Sequence, residues 1–139
     1  MNNLLEINNL SVDFPSRRGQ VTAVNKVSIS VAKGEVLGLV GESGAGKSTV
    51  GNSVINLLEP PGYISGGEII FEGTRIDQMS NEEMRKIRGA RIGTIFQDPQ
   101  TSLNPLMTIG KQLSETLVET LKISGSSARQ KSVELLDSV

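Results

Sequence analysis

Cysteine, histidine and tryptophan are all absent from these 139 residues, and aromatic residues make up only 3% of them. Without cysteine there is no disulfide framework and no thiolate metal site, and without histidine the commonest zinc ligand and the commonest general base are missing too. The scarcity of aromatics removes the stacking surface on which single-strand nucleic-acid binders rely. An excess of charge of one sign is also lacking: 14 Lys and Arg stand against 15 Asp and Glu, for a formal net charge of -1. A polyanion partner is not implied, and no nucleic acid is expected. No run approaches the roughly eighteen apolar residues of a membrane span, so membrane association would be peripheral or through a partner. The stretch Met1 to Asp13 mixes Asn, Glu and Asp with apolar residues and has no basic region ahead of an apolar one. It does not read as a signal peptide, and the expected location is the cytosol.

What is present has the patterning of a mixed α/β chain. Leu5, Ile7, Leu10, Val12 and Phe14 are spaced mostly as on a strand, and Val27, Ile29 and Val31 alternate with Ser28 and Ser30. The polar turn Pro15-Ser16-Arg17-Arg18-Gly19 between them predicts an antiparallel hairpin, with Arg17 and Arg18 as solvated loop charges. Glu35 to Val40 is nearly continuous apolar sequence, the pattern of a parallel strand covered on both faces. Helical spacing follows over Lys47 to Leu58, stopped by Pro60-Pro61-Gly62, and then a short strand is expected from Gly66 to Phe71. Ser80 to Glu83 matches a capping box, Arg91 to Phe96 reads as a second core strand, and two amphipathic helices are expected from Thr108 and from Ser127.

The sharpest motif is Gly41-Glu42-Ser43-Gly44-Ala45-Gly46-Lys47-Ser48, followed by Thr49, which satisfies G-x-x-x-x-G-K-[ST] at every fixed position. Glycines at that spacing let consecutive backbone N–H groups point inward around phosphate oxygens, and the helix that starts near Lys47 offers its positive end to the same anion. Lys47 is expected to reach the outer phosphates and Ser48 to ligate Mg²⁺, with Thr49 near an inner phosphate. A chance match in a chain of this size has odds on the order of one in a few hundred. Asn25-Lys26-Val27-Ser28 superficially matches the guanine-reading N-K-x-D pattern, but it ends in Ser and precedes the phosphate loop, so it is rejected.

A second run, Ile95-Phe96-Gln97-Asp98-Pro99-Gln100-Thr101-Ser102-Leu103-Asn104-Pro105, lies downstream at a distance that resembles the Q-loop of ABC ATPases. With Gly41-Glu42-Ser43-Gly44 it resembles the ATP-binding subunits of the dipeptide, oligopeptide and nickel importers. The resemblance covers essentially the whole chain. It implies a partial P-loop NTPase (ABC ATPase) fold of α/β class, with ATP and Mg²⁺ as cofactors. Residues 1–34 and 66–76 would form an antiparallel β region, 35–58 and 91–97 a partial parallel core, and 104–139 the start of a helical subdomain. It further implies that Gln97 joins Ser48 at the metal, and that Phe14 occupies the place of the aromatic residue that stacks on adenine, against the alternative of an ordinary strand-end Phe. A Gln carbonyl suits the first role because it is a neutral oxygen ligand.

The implied partners are permease subunits at the membrane, a second ATP-binding subunit and a separate solute-binding protein, with the chain peripheral on the cytoplasmic face of the cell membrane. The family's signature motif, its Asp-Glu-terminated strand and its switch histidine do not occur in this sequence. No residue is therefore assigned as catalytic, and Asp98 is not promoted to that role. The alternative expectation is a nucleotide-binding or interaction fragment that hydrolyses nothing.

Overall fold

The computed structural model describes residues 3–17, 19–97 and 102–139. Arg18 and the segment Asp98 to Thr101 lie outside the described residues, so expectations that fall on them are not taken further. The chain divides into two compact units, residues 1–85 and 86–139.

In the first unit, strands β1 (Asn3–Ser16) and β2 (Gly19–Ala32) form the expected hairpin, closed where Ser16 pairs with Gly19 and the Ser16 hydroxyl donates to the Gly19 carbonyl at 2.7 Å. β3 (Tyr63–Phe71) adds to the other edge of β1, and the two-residue β4 (Thr74–Arg75) follows, giving the order β2-β1-β3-β4 with every pairing antiparallel. The third strand begins at Tyr63, three residues before the Gly66 expected from the sequence.

The apolar spacing of β1 breaks phase once, stepping from Ile7 to Leu10. The structure places a register shift there, with Asn9 in the left-handed region at φ 50. The extra residue returns Leu10 and Val12 to the same buried face as Ile7; these three are at most 2% exposed. β2 carries a matching irregularity at Lys26, also φ 50, between the Val12–Val24 and Leu10–Val27 pairs. Each bulge finds a hydroxyl on the neighbouring strand: Asn9 N donates to Ser28 Oγ at 2.9 Å and Lys26 N to Ser11 Oγ at 3.1 Å. Helix α1 (Lys47–Val54) and the turn after it contribute Val50 and Ile55 to the buried set, with Ile69, Ile76 and Met84 from further along. α1 is shorter than expected, ending before Asn56, which turns left-handed at φ 51.

Helix α2 (Asn81–Ile87) starts with the capping box read from the sequence: Ser80 N donates to the Glu83 carboxylate at 2.8 Å and Glu83 N to Ser80 Oγ at 3.3 Å. In the second unit, α3 (Ile109–Leu121) and α4 (Gly125–Asp137) pack on each other as a helical hairpin. Thr108 caps α3 and Ser124 caps α4, whose first residue Gly125 lies two residues before the start read from the sequence. The apolar stripes expected on these helices are not buried: α3 has no buried residue, and α4 buries only Ala128 and Ser132. A two-helix hairpin gives each helix a single neighbour, which covers only part of an apolar stripe.

Two expected strands are corrected. Residues 35–40 form no strand, and Val36 and Val40 are 96% and 94% exposed. Of residues 91–96, only Ile92 pairs, in one isolated parallel bridge to Arg88, and Ile95 is 95% exposed. A parallel core strand takes its ladder from neighbours on both sides and its cover from crossover helices on both faces. Among the described residues nothing supplies either.

Candidate functional site

The loop from Gly41 to Thr49 joins the exposed apolar run to α1. Its backbone turns at Gly44 and Gly46, both left-handed at φ 82. A residue with a Cβ would be strained at either position. Gly46 is also the N-cap of α1, and a Cβ there would lie 2.5 Å from the Ala23 carbonyl oxygen of β2. The loop is therefore braced against the hairpin at a point where only glycine fits. Ala45 N donates to Glu42 O at 3.2 Å, and Val50 N donates to Gly46 O at 2.9 Å, which closes the first turn of the helix. No side chain caps α1 among the described residues. Its first N–H groups are thus left to point out of the helix end, where the helix dipole favours an anion.

Lys47 folds back over the loop, its ammonium donating to the carbonyls of Gly41 at 2.7 Å and Glu42 at 2.6 Å. An ammonium has three donors. Two hold the loop closed, so the charge is fixed at the mouth of the turn. Glu42, Ser43, Ala45 and Ser48 are exposed, and Thr49 is half-buried. Its carbonyl accepts from the Ser53 hydroxyl at 2.7 Å, which satisfies a side chain only 1% exposed.

The other sequence-derived candidates belong to other segments of the chain. Phe14 is half-buried near the end of β1, opposite Val21, which precedes by two residues the Ala23 that braces Gly46. A Cβ on Gly62 would overlap ring carbons Cε1 and Cζ of Phe14, so one edge of the ring is already packed on backbone. Gln97 is exposed, at a bend in the second unit. Sequence reasoning passed over Gln112, whose side-chain amide is hydrogen-bonded throughout to the turn before α3. A Gln in the first turn of a helix reads as solvated surface, and nothing in its spacing marks it. A cleft of about 560 Å³ opens elsewhere on the sheet, around Asn9, Ser11, Asp13, Thr22, Lys26 and Ser65, and contains none of the loop residues.

Comparison with known proteins decides the family, since the ABC transporter model matches residues 24–138. The chain belongs to the ABC transporter family. It is 47% identical over 137 residues to the oligopeptide transport ATP-binding protein OppD of Bacillus subtilis, covering 98% of this chain and 38% of that protein. It is 43% identical over 140 residues to the dipeptide transport ATP-binding protein DppD of the same organism, covering 100% of this chain and 42% of that one. To OppD of Salmonella typhimurium it is 44% identical over 138 residues, with 99% and 41% covered. The chain thus spans about two-fifths of the length of these relatives.

Among solved structures it resembles the ATP-binding cassette MJ0796, in a dimeric post-hydrolysis state bound to ADP and Pi. That match has a TM-score of 0.83 at 26% identity and covers 96% of this chain and 56% of that one. The α/β fold with its antiparallel sheet and helices is accordingly a partial ABC ATPase fold. No described helix is long and apolar enough to cross a membrane.

Proposed function

We propose that this chain is the phosphate-gripping part of the ATP-binding subunit of a peptide-type ABC importer. The observation that carries the proposal is the loop: two left-handed glycines lead into an uncapped helix end, with Lys47 fixed over the turn. The donor set fits a triphosphate. The backbone N–H groups of Gly44, Gly46, Lys47 and Ser48 and the Lys47 ammonium are donors only, suited to phosphate oxygens and to no cation. The exposed Ser48 hydroxyl and the Gln97 carbonyl are neutral oxygens of the kind Mg²⁺ accepts. No group of three acidic side chains that could cage the ion by itself occurs among the described residues. Mg²⁺ would supply charge neutralisation between the outer phosphates, and Ser48 and Gln97 would hold it.

In this reading Lys47 exchanges its contacts to Gly41 and Glu42, wholly or partly, for phosphate oxygens. The energy that now closes the loop is thereby transferred to the ligand. Lys47→Ala is expected to weaken ATP binding by about 1.5–3 kcal/mol through loss of a charge-assisted contact. Titration calorimetry of the folded variant checks this, and an unchanged affinity would refute the assignment.

Phe14 is the proposed adenine platform, since an aromatic face suits a nucleobase. Phe14→Ala should then weaken ATP more than tripolyphosphate. Equal losses would leave Phe14 as the packing partner of Gly62 alone. The proposed setting is the cytoplasmic face of the cell membrane, with permease subunits reached through the segment after Gln97. A second ATP-binding subunit and a separate solute-binding protein complete the proposed importer. The membership of the ABC transporter family and the printed roles of OppD and DppD support that setting.

A further inference from the structure

We propose that the polar cleft on the sheet is a second binding site, for a short zwitterion of the free-dipeptide class, sharing no residue with the phosphate loop. Its volume, about 560 Å³, lies within the range of small-molecule sites. Every side chain that lines it is polar or charged, and the remaining lining residues are Gly66 and Gly67. An apolar ligand would find no matching surface there. Asn9, Ser11 and Asp13 line it from β1, in alternation with the buried Leu10 and Val12.

The charges in the cleft decide the class of ligand. It holds one of each sign, Asp13 and Lys26, and among the described residues neither forms an ion pair with the other or with a third group. Asp13 is 6% exposed, and a carboxylate so far from water calls for a compensating positive charge. Hydrogen bonds from Ser65, Thr22 and Gln20 fill three of its roughly four lone-pair sites. The site left over suits an ammonium. The backbone N–H of Lys26 is bound to Ser11 Oγ at 3.1 Å, while its ammonium has no partner among the described residues. A ligand of single charge would be repelled by one of the two groups, whereas one with an ammonium and a carboxylate satisfies both.

Spacing sets the length of that ligand. The Lys26 N–H meets β1 at Ser11, two residues before Asp13, which is about 7 Å of extended strand. An extended dipeptide carries its ammonium and carboxylate about 7 Å apart, and a single amino acid roughly half of that. Asn9 and Asn25 add side-chain amides with no partner among the described residues, suited to the peptide N–H and C=O. On β3, Gly67 is left-handed at φ 85 and so close to β1 that a Cβ would overlap the carbonyl oxygens of Asn8 and Asn9. Gly66 is free of that constraint. It pairs with Ser11, and a Cβ there would sit 3.8 Å from Ser11 Cβ, in ordinary contact on the cleft face. A larger side chain at Gly66 would therefore fill the cleft without straining the strand.

The test titrates the full chain with alanyl-alanine, read by amide chemical shifts and by calorimetry. The N-acetylated peptide lacks the ammonium, the C-terminal amide lacks the carboxylate, and an unbranched ω-amino acid of equal length keeps both charges without the peptide group. Saturable shifts are expected at Asn9, Thr22 and Lys26. Each blocked peptide should bind at least about tenfold more weakly, the weight of one charge-assisted contact, and the ω-amino acid should fall between these limits. Lys26→Gln and Gly66→Leu should each weaken alanyl-alanine at least about tenfold with an unchanged urea midpoint. Lys47→Ala should bind it as the parent chain does.

Absence of shifts at these amides up to the solubility of the peptide would overturn the proposal, as would parent-like affinity in Gly66→Leu. Equal binding of the blocked peptides would show that the charges are not read, and equal binding of the ω-amino acid would remove the dipeptide class. Loss of binding in Lys47→Ala would move the peptide to the phosphate loop and overturn the second site, whereas failure of the phosphate-loop reading alone leaves the dipeptide titration unchanged. If Gly66→Leu lowers the urea midpoint, Lys26→Gln decides, since it leaves the backbone contact to Ser11 in place.

Discussion

Asp13 stands beside the proposed adenine platform and faces the polar cleft of the sheet, at 6% exposure. Burial alone would raise its pKa, but hydrogen bonds from Ser65, Thr22 and Gln20 win, and the carboxyl is held below its usual value near 3.8. The contact from Thr22 Oγ1 is 2.6 Å. Because the folded-state pKa is depressed, the stabilisation is fully present above the ordinary carboxylate value. It is lost as pH falls through the lower folded value. Urea unfolding at neutral pH and across the acid range should show Asp13→Asn with a flatter acid limb than the parent chain. Parallel curves would assign the acid sensitivity to other carboxylates. The same residue scale explains why the glycine-rich turn into α1 was legible beforehand. Gly44, Gly46 and Lys47 act through properties of their own, φ freedom and charge, and these are visible in the letters. That Gly46 must also clear the Ala23 carbonyl depends on a strand twenty-three residues earlier, and no local pattern carries it.

Among the elements, those fixed by short-range chemistry agree with the sequence, and those fixed by distant neighbours do not. The capping box at Ser80 needs only four consecutive residues, and the contacts between Ser80 and Glu83 form as read. Ser80→Ala should lower stability by about 1 kcal/mol, measured by urea unfolding; a change within a few tenths would mean the first turn of α2 is held by packing instead. The hairpin was equally legible, from its alternating apolar residues and the polar turn between them. The parallel strands were misread because a continuous apolar run specifies burial but not the partner that provides it. Ile95 and Phe96 have the composition of a core strand and are exposed all the same. The role proposed for Gln97 rests on its sequence neighbours, since a lone Gln at a bend carries no pattern of its own.

At the scale of the whole chain, a competent phosphate loop is not a competent catalyst. Phosphoryl transfer to water needs an in-line nucleophile and stabilisation of the charge that develops on the γ-phosphate oxygens. In the proposed site Lys47, Ser48 and Mg²⁺ would address only part of this, and the sequence holds neither a signature motif nor an Asp-Glu strand end that a second copy could contribute. The isolated 139 residues are expected to release no phosphate from ATP above background even where they bind it. Steady release abolished by Lys47→Ala would overturn this.

The exposed run at 36–40 has its own consequence at this scale. It enters the phosphate loop directly, yet among the described residues its amides have no ladder partner, whereas those of β1 are paired on both sides. Amides without hydrogen-bonded partners exchange with solvent deuterium at close to the free-chain rate, while laddered amides wait for an opening event. The segment that leads into Gly41 is therefore expected to exchange faster than the doubly paired β1. Any larger assembly that completes the sheet would register first as a slowing of isotope uptake at Val36 to Val40.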